Sequence, residues 1–464
     1  MIRILALFSL GSISPLLPNG HAADDRPNFV VIFCDDLGYA DIGPFGSEKH
    51  RTPHLDQMAE EGRIFTSFYS TSGVCTPSRA SLMTGCYPVR IGMHRNPEGR
   101  WVLFPGDGQG LHPNEITVAE ILREQGYATA CIGKWHLGDQ PAFLPTEQGF
   151  DRYFGIPFSN DMGIVDRPEG MYPPLPLLRG GEVIETEPDQ RLITRRYTAE
   201  AVRFLEEHAG QPFFLYLPHT MPHWPQYASP EFSGRSANGA WGDTVEEIDW
   251  STGVLLDALR RLGIDRKTLV LFTSDNGGAI NHGASNAPLS GGKGSTMEGG
   301  QRVCLVARWP GTVPAGTTCD AITSTIDILP TFARLAGAPL PDDRTIDGKD
   351  IGPLLRGDEG ARSPHEAFFY YFQGDLQAVR SGPWKLFLER RIRKESAPVA
   401  LYHLENDIGE TTDVSADYPE IVAKLEKLAD GARADMGDAF TGVAGSGNRP
   451  PGVVEDPLPL TTKP

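Results

Sequence analysis

The segment Gly73–Gly85 combines residue types that could carry out chemistry. It reads Gly-Val-Cys-Thr-Pro-Ser-Arg-Ala-Ser-Leu-Met-Thr-Gly, and proline is favoured in the first turn of a helix. A helix that contains Pro77 in its first turn and runs through Met83 leaves Cys75 among free backbone N–H groups, which stabilise negative charge. The pattern predicts a functional cysteine at a helix N-terminus. The alternative is a buried structural cysteine.

A second group of polar residues follows two apolar runs. Asp35 and Asp36 come after the first run, and Asp275 and Asn276 come after the second. If both runs are strands of one parallel sheet, these side chains project from the same edge, where α/β folds bind their ligands. Three carboxylates and one amide form an oxygen-only donor set, which favours Ca²⁺ or Mg²⁺ over zinc. The alternative is that Asp and Asn only begin turns after strands.

Four basic or imidazole side chains occupy similar positions. Lys134 and His136 follow one apolar run, His223 follows another within a proline-rich segment, and Lys293 lies in the glycine-rich loop Ser290–Gly294. Lone lysines and histidines are usually solvated surface groups. Their shared position beyond strand ends nevertheless favours convergence on one site. An imidazole with a pKa near neutrality suits proton transfer.

These positions require a sheet that brings the ends of several strands together. Short apolar runs alternate with amphipathic segments from about residue 27 to about residue 335, which predicts a large, mostly parallel sheet flanked by helices. Continuous apolar runs are typical of strands buried on both faces. The predicted strands are Phe29–Cys34, Tyr127–Ile132, Phe213–Leu217 and Leu269–Thr273.

Helix signals precede the last three of these strands. Thr117 and Glu120 have the spacing of a capping box, in which each side chain binds a free backbone N–H of the other residue. Thr198 is expected to cap a second helix. An apolar stripe from Val245 to Leu262 predicts the third.

The pattern changes from about residue 365. Short apolar runs separated by turn residues, and then a helix near Pro419, predict a smaller C-terminal antiparallel sheet with one helix. We therefore divide the chain into a signal peptide (1–23), a large domain that carries the candidate site (24–364), a C-terminal α+β subdomain (365–445) and a tail (446–464). The tail is rich in Gly and Pro and is expected to be loosely held. The predicted C-terminal strands are Ala367–Tyr371, Gln377–Arg380, Trp384–Leu388 and Leu401–Leu404.

Composition and the first residues bear on partners and location. The chain carries 42 Lys or Arg and 60 Asp or Glu, a formal charge of −18, which argues against nucleic acid or an anionic membrane as a partner. Arg3, an apolar stretch and the small residues Ala22 and Ala23 form the pattern of a cleaved secretory signal peptide. The stretch is shorter than the roughly 20 residues that a membrane span needs. We therefore expect a secreted or periplasmic protein without a membrane span.

The Cys75 segment resembles the signature of the sulfatase family, C-x-P-S-R followed by a Leu and a Gly. Gly126–His136 resembles a second signature of that family, and further matches run to about residue 335. The resemblance is strongest to the arylsulfatase A and N-acetylgalactosamine-6-sulfatase group, and it implies an alkaline-phosphatase-like fold. It also implies that a separate maturation enzyme oxidises Cys75 to Cα-formylglycine. In the hydrated aldehyde, one oxygen attacks sulfur and the other expels sulfate by reforming the aldehyde.

The resemblance also implies a cation site. Asp35, Asp36, Asp275 and Asn276, together with the modified Cys75, are implied to bind Ca²⁺ rather than Mg²⁺. The cation would hold a sulfate oxygen and lower the pKa of the attacking hydroxyl. Asp275 is in addition a candidate to accept the proton of that hydroxyl.

Further roles follow from the same resemblance. His219, four residues before His223, is expected to lie behind the reacting groups. The resemblance further implies binding of sulfate oxygens by Lys134, Lys293 and Ser159, and stabilisation of the diol by Arg79. On the chemistry of imidazole, His223 is our candidate for substrate contact and protonation of the leaving alcohol, and His136 for proton uptake when the sulfated diol collapses.

The sequence therefore predicts a sulfuric ester hydrolase of the arylsulfatase type, acting on a sulfated small molecule or glycan. A phosphodiesterase or phosphonate monoester hydrolase of the same superfamily is one alternative. An inactive protein that binds sulfated glycans is another, and a cysteine hydrolase that uses the free Cys75 thiol with His136 is a third. The loops Asn96–Asn114 and Asp161–Asp189 are expected to select the substrate.

Overall fold

A computed structural model describes residues 26–165, 167–392 and 395–462. The predicted signal peptide lies outside the described residues. Within these ranges, no helix combines the length and the apolar character that crossing a membrane requires. All six cysteines are buried, and none forms a disulfide.

The strands and helices alternate along most of the chain. The α-helices are α1 (Pro53–Glu60), α2 (Cys75–Thr84), α3 (Val118–Glu124), α4 (Ile193–His208), α5 (Gly239–Arg261), α6 (Glu298–Gln301), α7 (Ile328–Ala336), α8 (Gly352–Arg356) and α9 (Pro419–Met436). The strands are β1 (Asn28–Cys34), β2 (Arg63–Tyr69), β3 (Gln109–Gly110), β4 (Ala128–Ile132), β5 (Arg152–Gly155), β6 (Pro176–Arg179), β7 (Glu182–Thr186), β8 (Phe213–Pro218), β9 (Thr268–Ser274), β10 (Arg302–Arg308), β11 (Thr317–Cys319), β12 (Thr323–Ser324), β13 (Phe368–Phe372), β14 (Asp375–Ser381), β15 (Trp384–Phe387), β16 (Arg390–Ile392), β17 (Glu395–Ala397), β18 (Ala400–His403), β19 (Gly437–Asp438), β20 (Val443–Ala444) and β21 (Gly452–Val453).

The main sheet has a parallel centre with antiparallel strands on both sides. Its strand order is β11-β2-β10-β9-β1-β8-β4-β5-β6-β7, and β12 also pairs with β2. The five central strands from β9 to β5 are mutually parallel, whereas β10 is antiparallel to both β9 and β2. The prediction of a large, mostly parallel sheet with helices on its faces is confirmed, and each of the four predicted strands is present to within one residue at each end.

Both faces of the sheet are covered, as the continuous apolar runs predict. Alternate residues of β1 enter two separate cores, because successive side chains of a strand point to opposite faces. Phe29, Val31 and Phe33 belong to the core that includes residues of α2, α3 and α7. Val30 and Ile32 belong to the core that includes residues of α1, α4 and α5. Each large apolar side chain buried in this way contributes about 1.5–3 kcal/mol relative to exposure.

Two helix starts show what local signals determine. The capping box of Thr117 and Glu120 is present at the start of α3, with the Thr117 Oγ1 accepting from the Glu120 N–H at 3.1 Å. The prediction that Thr198 caps a helix is wrong, because α4 already begins at Ile193. The Thr198 hydroxyl instead donates to the Thr194 carbonyl, one turn earlier in the same helix, at 2.7 Å. A threonine can satisfy its hydroxyl in this way inside a helix.

The predicted C-terminal unit is present. Strands β13, β14, β15 and β18 form an antiparallel sheet, and α9 packs against it through Leu425 and Ala429. The prediction of a loosely held tail is wrong for the described part of it, because β21 pairs with β3 and the Thr461 hydroxyl donates to the Pro174 carbonyl. The tail approaches closely enough that a side chain at Gly452 would clash with Phe143.

Candidate active site

The candidate residues converge because the parallel strands end at one edge of the sheet. β2 runs in the same direction as β9, since both are antiparallel to β10, and so the chain reaches α2 from that edge. β10 begins there, directly after the loop that carries Lys293 and the short helix α6. The strands deliver Asp35 and Asp36 after β1, Lys134 and His136 after β4, Ser159 after β5, His219 and His223 after β8, and Asp275 and Asn276 after β9.

The acidic residues form a compact buried group around Cys75. The Cys75 Sγ and one carboxylate oxygen each of Asp35 and Asp275 all lie within 4.8 Å of one another. The Asp36 N–H donates to Asp275 Oδ1 at 3.0 Å, and the Asn276 amide donates to Asp36 Oδ1 at 2.9 Å. Asp36 has a left-handed backbone (φ 68°), an unusual conformation for a residue other than glycine.

Each of the three aspartates has a close cationic partner, and Arg79 Nη2 also lies 3.5 Å from Asp35 Oδ1. Together these six residues form what we term the aspartate cluster. The pairs are Lys134 Nζ and Asp35 Oδ2 at 2.6 Å, Lys293 Nζ and Asp36 Oδ2 at 2.7 Å, and Arg79 Nη2 and Asp275 Oδ2 at 2.7 Å.

These pairs act differently on the three carboxyl groups. Burial disfavours the charged form of each, but the charges of Lys134, His223 and other basic groups hold the pKa of Asp35 below its ordinary value. Burial is likewise outweighed at Asp36, chiefly by Lys293, and its pKa is also lowered. At Asp275 burial prevails over Arg79, and the pKa is raised to about 7. The two neighbouring carboxylates add to that rise.

Two oxygens of this group accept no hydrogen bond from any described residue. They are Asp35 Oδ1 and Asn276 Oδ1, and both are buried. A buried acceptor without a donor is costly, and a hard cation such as Ca²⁺ is coordinated by carboxylate and amide oxygens of this kind. The donor set of Asp35, Asp36, Asp275 and Asn276 therefore fits such a cation.

Cys75 lies at the first position of α2, as the position of Pro77 predicts. Val74 before it is extended, and Cys75 is only 3% exposed. Burial raises the pKa of the Cys75 thiol to about 11, even though Lys134 opposes the shift. The unmodified thiol is therefore protonated near neutral pH, which argues against a cysteine hydrolase that uses a free thiolate.

His136 is held with one ring nitrogen free. Its Nε2 lies 3.0 Å from the Leu103 carbonyl, and because a carbonyl can only accept, Nε2 carries the hydrogen. Nδ1 is buried and has no hydrogen-bond partner among the described residues. Burial, and then the charge of Lys134, lower the pKa of His136 well below its ordinary value. The ring is therefore neutral, with Nδ1 as a proton acceptor.

His223 is oriented by its own neighbour in the chain. Its Nδ1 donates to the Trp224 carbonyl at 2.6 Å and lies 3.1 Å from Asn160 Oδ1. Its Nε2 lies 3.6 Å from Asp36 Oδ2. Burial, and then the charge of Lys293, lower the pKa of His223. The pKa of His136 therefore lies well below neutrality, and that of His223 is lowered to a lesser degree.

Ser159 and His219 occupy different environments. The Ser159 Oγ lies 3.3 Å from Lys134 Nζ and 3.5 Å from both ring nitrogens of His223. His219 is fully buried, and neither of its ring nitrogens has a hydrogen-bond partner within the described ranges. Burial lowers the pKa of His219 to about 3, so this ring is neutral.

Sequence reasoning missed two groups that orient the histidines. Asn160, next to Ser159, supplies an acceptor to His223, and its amide donates to Gln190 at 3.0 Å. The only sequence signal for Asn160 was its position directly after Ser159, which is a candidate site residue. The Leu103 carbonyl, which fixes the His136 tautomer, is a backbone atom, and so its role leaves no mark in the residue type.

Two protein-family models match the chain. The model described as Sulfatase matches residues 27–338, and the model described as N-sulphoglucosamine sulphohydrolase, C-terminal, matches residues 293–434. Arylsulfatase A from Bos taurus is 40% identical over 426 residues, covering 86% of this chain and 82% of its own length. N-acetylgalactosamine-6-sulfatase from Mus musculus is 40% identical over 402 residues, covering 83% and 75%.

Solved structures agree with these matches. The PsFucS1 sulfatase from Pseudoalteromonas sp. has a TM-score of 0.79 and 29% identity, covering 88% of this chain and 90% of its own. Ps i-CgsB in complex with k-i-k-neocarrahexaose has a TM-score of 0.77 and 32% identity, covering 88% and 92%. The fold and the site define a hydrolase with the alkaline-phosphatase-like architecture. The chain belongs to the sulfatase family, and it is a sulfuric ester hydrolase.

Proposed function

We propose that the chain cleaves sulfate monoesters with Cys75, converted to Cα-formylglycine, as the nucleophile, and with Ca²⁺ bound by the oxygen donors around it. The proposal rests on one observation above all. The Cys75 Sγ and oxygens of Asp35 and Asp275 lie within 4.8 Å of one another, so a nucleophile at this position would share its surroundings with the cation. Asp36 and Asn276 complete the donor set.

The cation and the hydrated aldehyde supply chemistry that no unmodified side chain offers: charge stabilisation on a sulfate oxygen, and a hydroxyl nucleophile with a second hydroxyl for release. Lys134 and Lys293 contribute positive charge beside the nucleophile. In the structure they pair with Asp35 and Asp36, which are proposed cation ligands. Because the proposed cation would balance the charge of these carboxylates, both ammonium groups would also be available to an anionic ester.

The two histidines handle protons at defined atoms. Nδ1 of His136 is the free acceptor, and we assign it the proton released when the sulfated diol collapses. His223 carries its hydrogen on Nδ1, so it must first gain a proton on Nε2 to protonate a leaving alcohol. An anionic ester bound next to His223 raises the pKa of its ring and favours that proton. Asp275, whose carboxylate lies within 4.8 Å of the Cys75 Sγ, is placed to accept the proton of the attacking hydroxyl.

Mass spectrometry of the Cys75 peptide tests the nucleophile. Protein produced in a host that has the maturation enzyme should show loss of the thiol sulfur at Cys75. Production in a host without that enzyme provides the matched control, with unmodified cysteine and little activity. Fully active protein with an unmodified Cys75 would contradict the proposal.

Phosphorus esters provide the main test of reaction specificity. A phosphonate monoester hydrolase of Agrobacterium radiobacter has a TM-score of 0.62 at 20% identity, which shows a shared fold alone. We expect nitrophenyl sulfate to be hydrolysed faster than the nitrophenyl esters of phosphate and phosphonate. A higher kcat/KM for the phosphorus esters would reverse the assignment.

We propose a sulfated saccharide as the substrate. Trp101 is 47% exposed although it is a large apolar side chain, and its ring packs against the loop of Lys293, since a side chain at Gly294 would lie 2.9 Å from it. Leu103, two residues later, binds the Thr76 hydroxyl through its N–H at 3.2 Å. An exposed indole next to a sulfate-binding lysine suits the apolar face of a sugar ring.

The two loops predicted to select the substrate meet beside this position. The Phe104 and Tyr172 rings stack with centroids 6.2 Å apart. A panel of sulfated mono- and oligosaccharides, with nitrophenyl sulfate for comparison, tests the substrate class by sulfate release. Trp101→Ala should raise KM for a saccharide roughly 10-fold, the scale of one aromatic contact, with a smaller change for nitrophenyl sulfate. Equal changes for both substrates would contradict the role of Trp101.

We also propose that the protein is exported and that residues 1–23 are removed. The sequence pattern of residues 1–23 supports this proposal. N-terminal sequencing of the mature protein should begin near Asp24. A mature chain that still begins at Met1 would contradict it.

A further inference from the structure

The loop that carries Lys293 cannot hold that side chain by itself. Residues 291, 292 and 294 are glycines, and Gly291 and Gly294 have positive φ angles of 69° and 79°. Glycines give a loop many accessible backbone conformations. Lys293 adds a long, flexible side chain, whose ordering carries its own entropic cost. A defined position for the Lys293 ammonium group therefore requires contacts from outside the loop.

Before Lys293, the loop is anchored by Glu410, which lies between β18 and α9. The Ser290 hydroxyl donates to the Glu410 carboxylate, and the same oxygen accepts from the Glu298 N–H at 2.7 Å. Glu410 has a left-handed backbone with φ 53°. Such a conformation is unfavourable for glutamate and persists where surrounding contacts determine it.

After Lys293, the loop is anchored by the C-terminal sheet. Lys385 of β15 donates from Nζ to the Thr296 carbonyl at 2.8 Å, and the Thr296 hydroxyl donates to Gln377 of β14 at 2.8 Å. The ammonium group of Lys385 also lies 2.7 Å from Glu410 Oε1. One buried ion pair thus joins the anchors on the two sides of Lys293.

We propose that Glu410 and Lys385 are positioning residues that set the location of the Lys293 ammonium group for catalysis. The inference rests on the proposed function, in which Lys293 binds sulfate oxygens. A buried ion pair is weak evidence for stability but can define one conformation among several. The C-terminal subdomain accordingly contributes to catalysis by positioning Lys293, although neither positioning residue touches the substrate.

The first measurement is hydrogen exchange of the amides from 290 to 297. Glu410→Ala should increase exchange there, whereas Glu410→Gln, which keeps an acceptor for Ser290, should retain most of the protection. Asp438→Asn is the matched control, because Asp438 is a buried carboxylate of the same subdomain that binds Arg433 and the Leu376 N–H. Unchanged exchange in Glu410→Ala overturns the proposal, whether or not the enzyme is active.

The second measurement is a double-mutant cycle on kcat/KM for sulfate ester hydrolysis. Glu410→Ala should lower kcat/KM roughly 10-fold in the wild-type background, the scale of one hydrogen bond to a charged group. In the Lys293→Ala background it should have less than about a twofold effect, because a residue that acts through Lys293 has nothing left to position. Equal losses in both backgrounds overturn the proposal.

Two further outcomes are informative. If Glu410→Ala does not fold, Ser290→Ala replaces it in both measurements, since it removes one hydrogen bond of the same anchor. Absence of sulfatase activity in the wild-type protein contradicts the proposed function, and the exchange comparison then decides the loop inference by itself.

Discussion

The main sheet ends in two buried charge clusters that differ in how completely their polar atoms are paired. In the aspartate cluster, Asp35 Oδ1 and the neighbouring Asn276 Oδ1 accept no hydrogen bond within the described residues. The second cluster consists of Glu298 with Glu410, Lys385, Arg302 and Arg380, and we term it the Glu298 cluster. Glu298 accepts from the Tyr69 and Tyr370 hydroxyls at 2.6 and 2.7 Å and from Lys385 Nζ at 3.0 Å.

The difference shows how a ligand site can be distinguished from a structural charge network. Burial and strong ion pairs are common to both clusters, so neither property marks function. Beside the candidate nucleophile, Asn276 Oδ1 accepts no hydrogen bond from any described group, and Asp35 Oδ1 has Arg79 Nη2 at 3.5 Å but no hydrogen bond among those groups. Acceptors without a close partner identify a place where a ligand supplies one. In the Glu298 cluster, Glu410 Oε1 also accepts no hydrogen bond from the described part of the chain, but Lys385 Nζ lies 2.7 Å from it. Hydroxyl and backbone groups pair with the other carboxylate oxygens, and the cluster joins the two sheets.

The largest expected effect is loss of chemistry without loss of fold. Cys75→Ala should lower turnover at least about 10³-fold, because it removes the proposed nucleophile. It should change the denaturation midpoint only slightly. Cys319→Ala, at a buried cysteine of β11, is the control and should keep its activity. Sulfate release measures turnover, and urea unfolding measures stability. Unchanged turnover in Cys75→Ala would contradict the assignment of the aspartate cluster as part of the active site.

Next in size is the difference between the two buried lysines. Lys385→Met should destabilise the fold by about 3–5 kcal/mol, because it leaves Glu298 and Glu410 without their ammonium partner. Lys134→Met, measured with Ca²⁺ present, should cost less than half of that, since the proposed cation would compensate the charge of Asp35. Urea unfolding of both variants provides the numbers. Equal destabilisation by the two variants would mean that no cation compensates for the loss of the Lys134 charge, and that the aspartate cluster is a structural charge network as well.

Cation removal should affect stability more modestly. Ca²⁺ at 100 times its dissociation constant should stabilise the chelator-treated protein by about 2.7 kcal/mol. Asp36→Asn should lose most of this gain, whereas Asp438→Asn should keep it. Thermal unfolding with and without CaCl₂ measures the effect, and elemental analysis measures the bound metal. A gain that survives in Asp36→Asn would place the cation elsewhere.

The last expected effect, which is the smallest when it is measured over one pH unit, is opposite pH dependence in the two clusters without divalent cation. The raised pKa of Asp275, about 7, means that the folded state binds more protons than the unfolded state between about pH 4 and 7. Asp275 therefore lowers stability as pH rises through this window, by at most about 1.4 kcal/mol per pH unit. Burial opposes ionisation of Glu298, but Lys385 and Arg380 outweigh it and lower its pKa, so its contribution is lost only as pH falls.

Urea unfolding of chelated protein from pH 4 to 8 tests this contrast. Asp275→Asn should flatten the decline between pH 4 and 7, and Glu298→Gln should leave the decline in place. A wild-type curve that rises throughout the window, with no change in Asp275→Asn, would show that the carboxyl group of Asp275 is not protonated in the folded state.

Local patterns were sufficient to predict the parts of the molecule that short segments determine. The apolar runs of β1 and β9 gave strands to within one residue, and Pro77 gave the helix that begins at Cys75. Because parallel strands end at one edge, the convergence of the aspartates on Cys75 could also be predicted. Recognition of the family added the proposed roles, which spacing alone leaves open.

Contacts between distant segments could not be predicted. Glu410 binds Ser290 across 120 residues, and nothing in the residue types of either segment indicates the pairing. The contact between the Leu103 carbonyl and His136 could not be predicted either, because every residue has a backbone carbonyl. The error at Thr198 arose because a hydroxyl can bind a carbonyl of its own helix as readily as a free N–H at its start.

The pairing of β21 with β3 limits how the chain can be shortened. Both family matches end by residue 434, yet Gly452 and Val453 add a strand to Gln109 and Gly110, within the same loop whose Leu103 carbonyl fixes His136. A gene fragment that ends at the last matched residue would keep every catalytic candidate, but it would lose the pairing of β21 with β3 that supports this loop. For protein engineering, fusion partners therefore belong after residue 462, not in place of the segment before it.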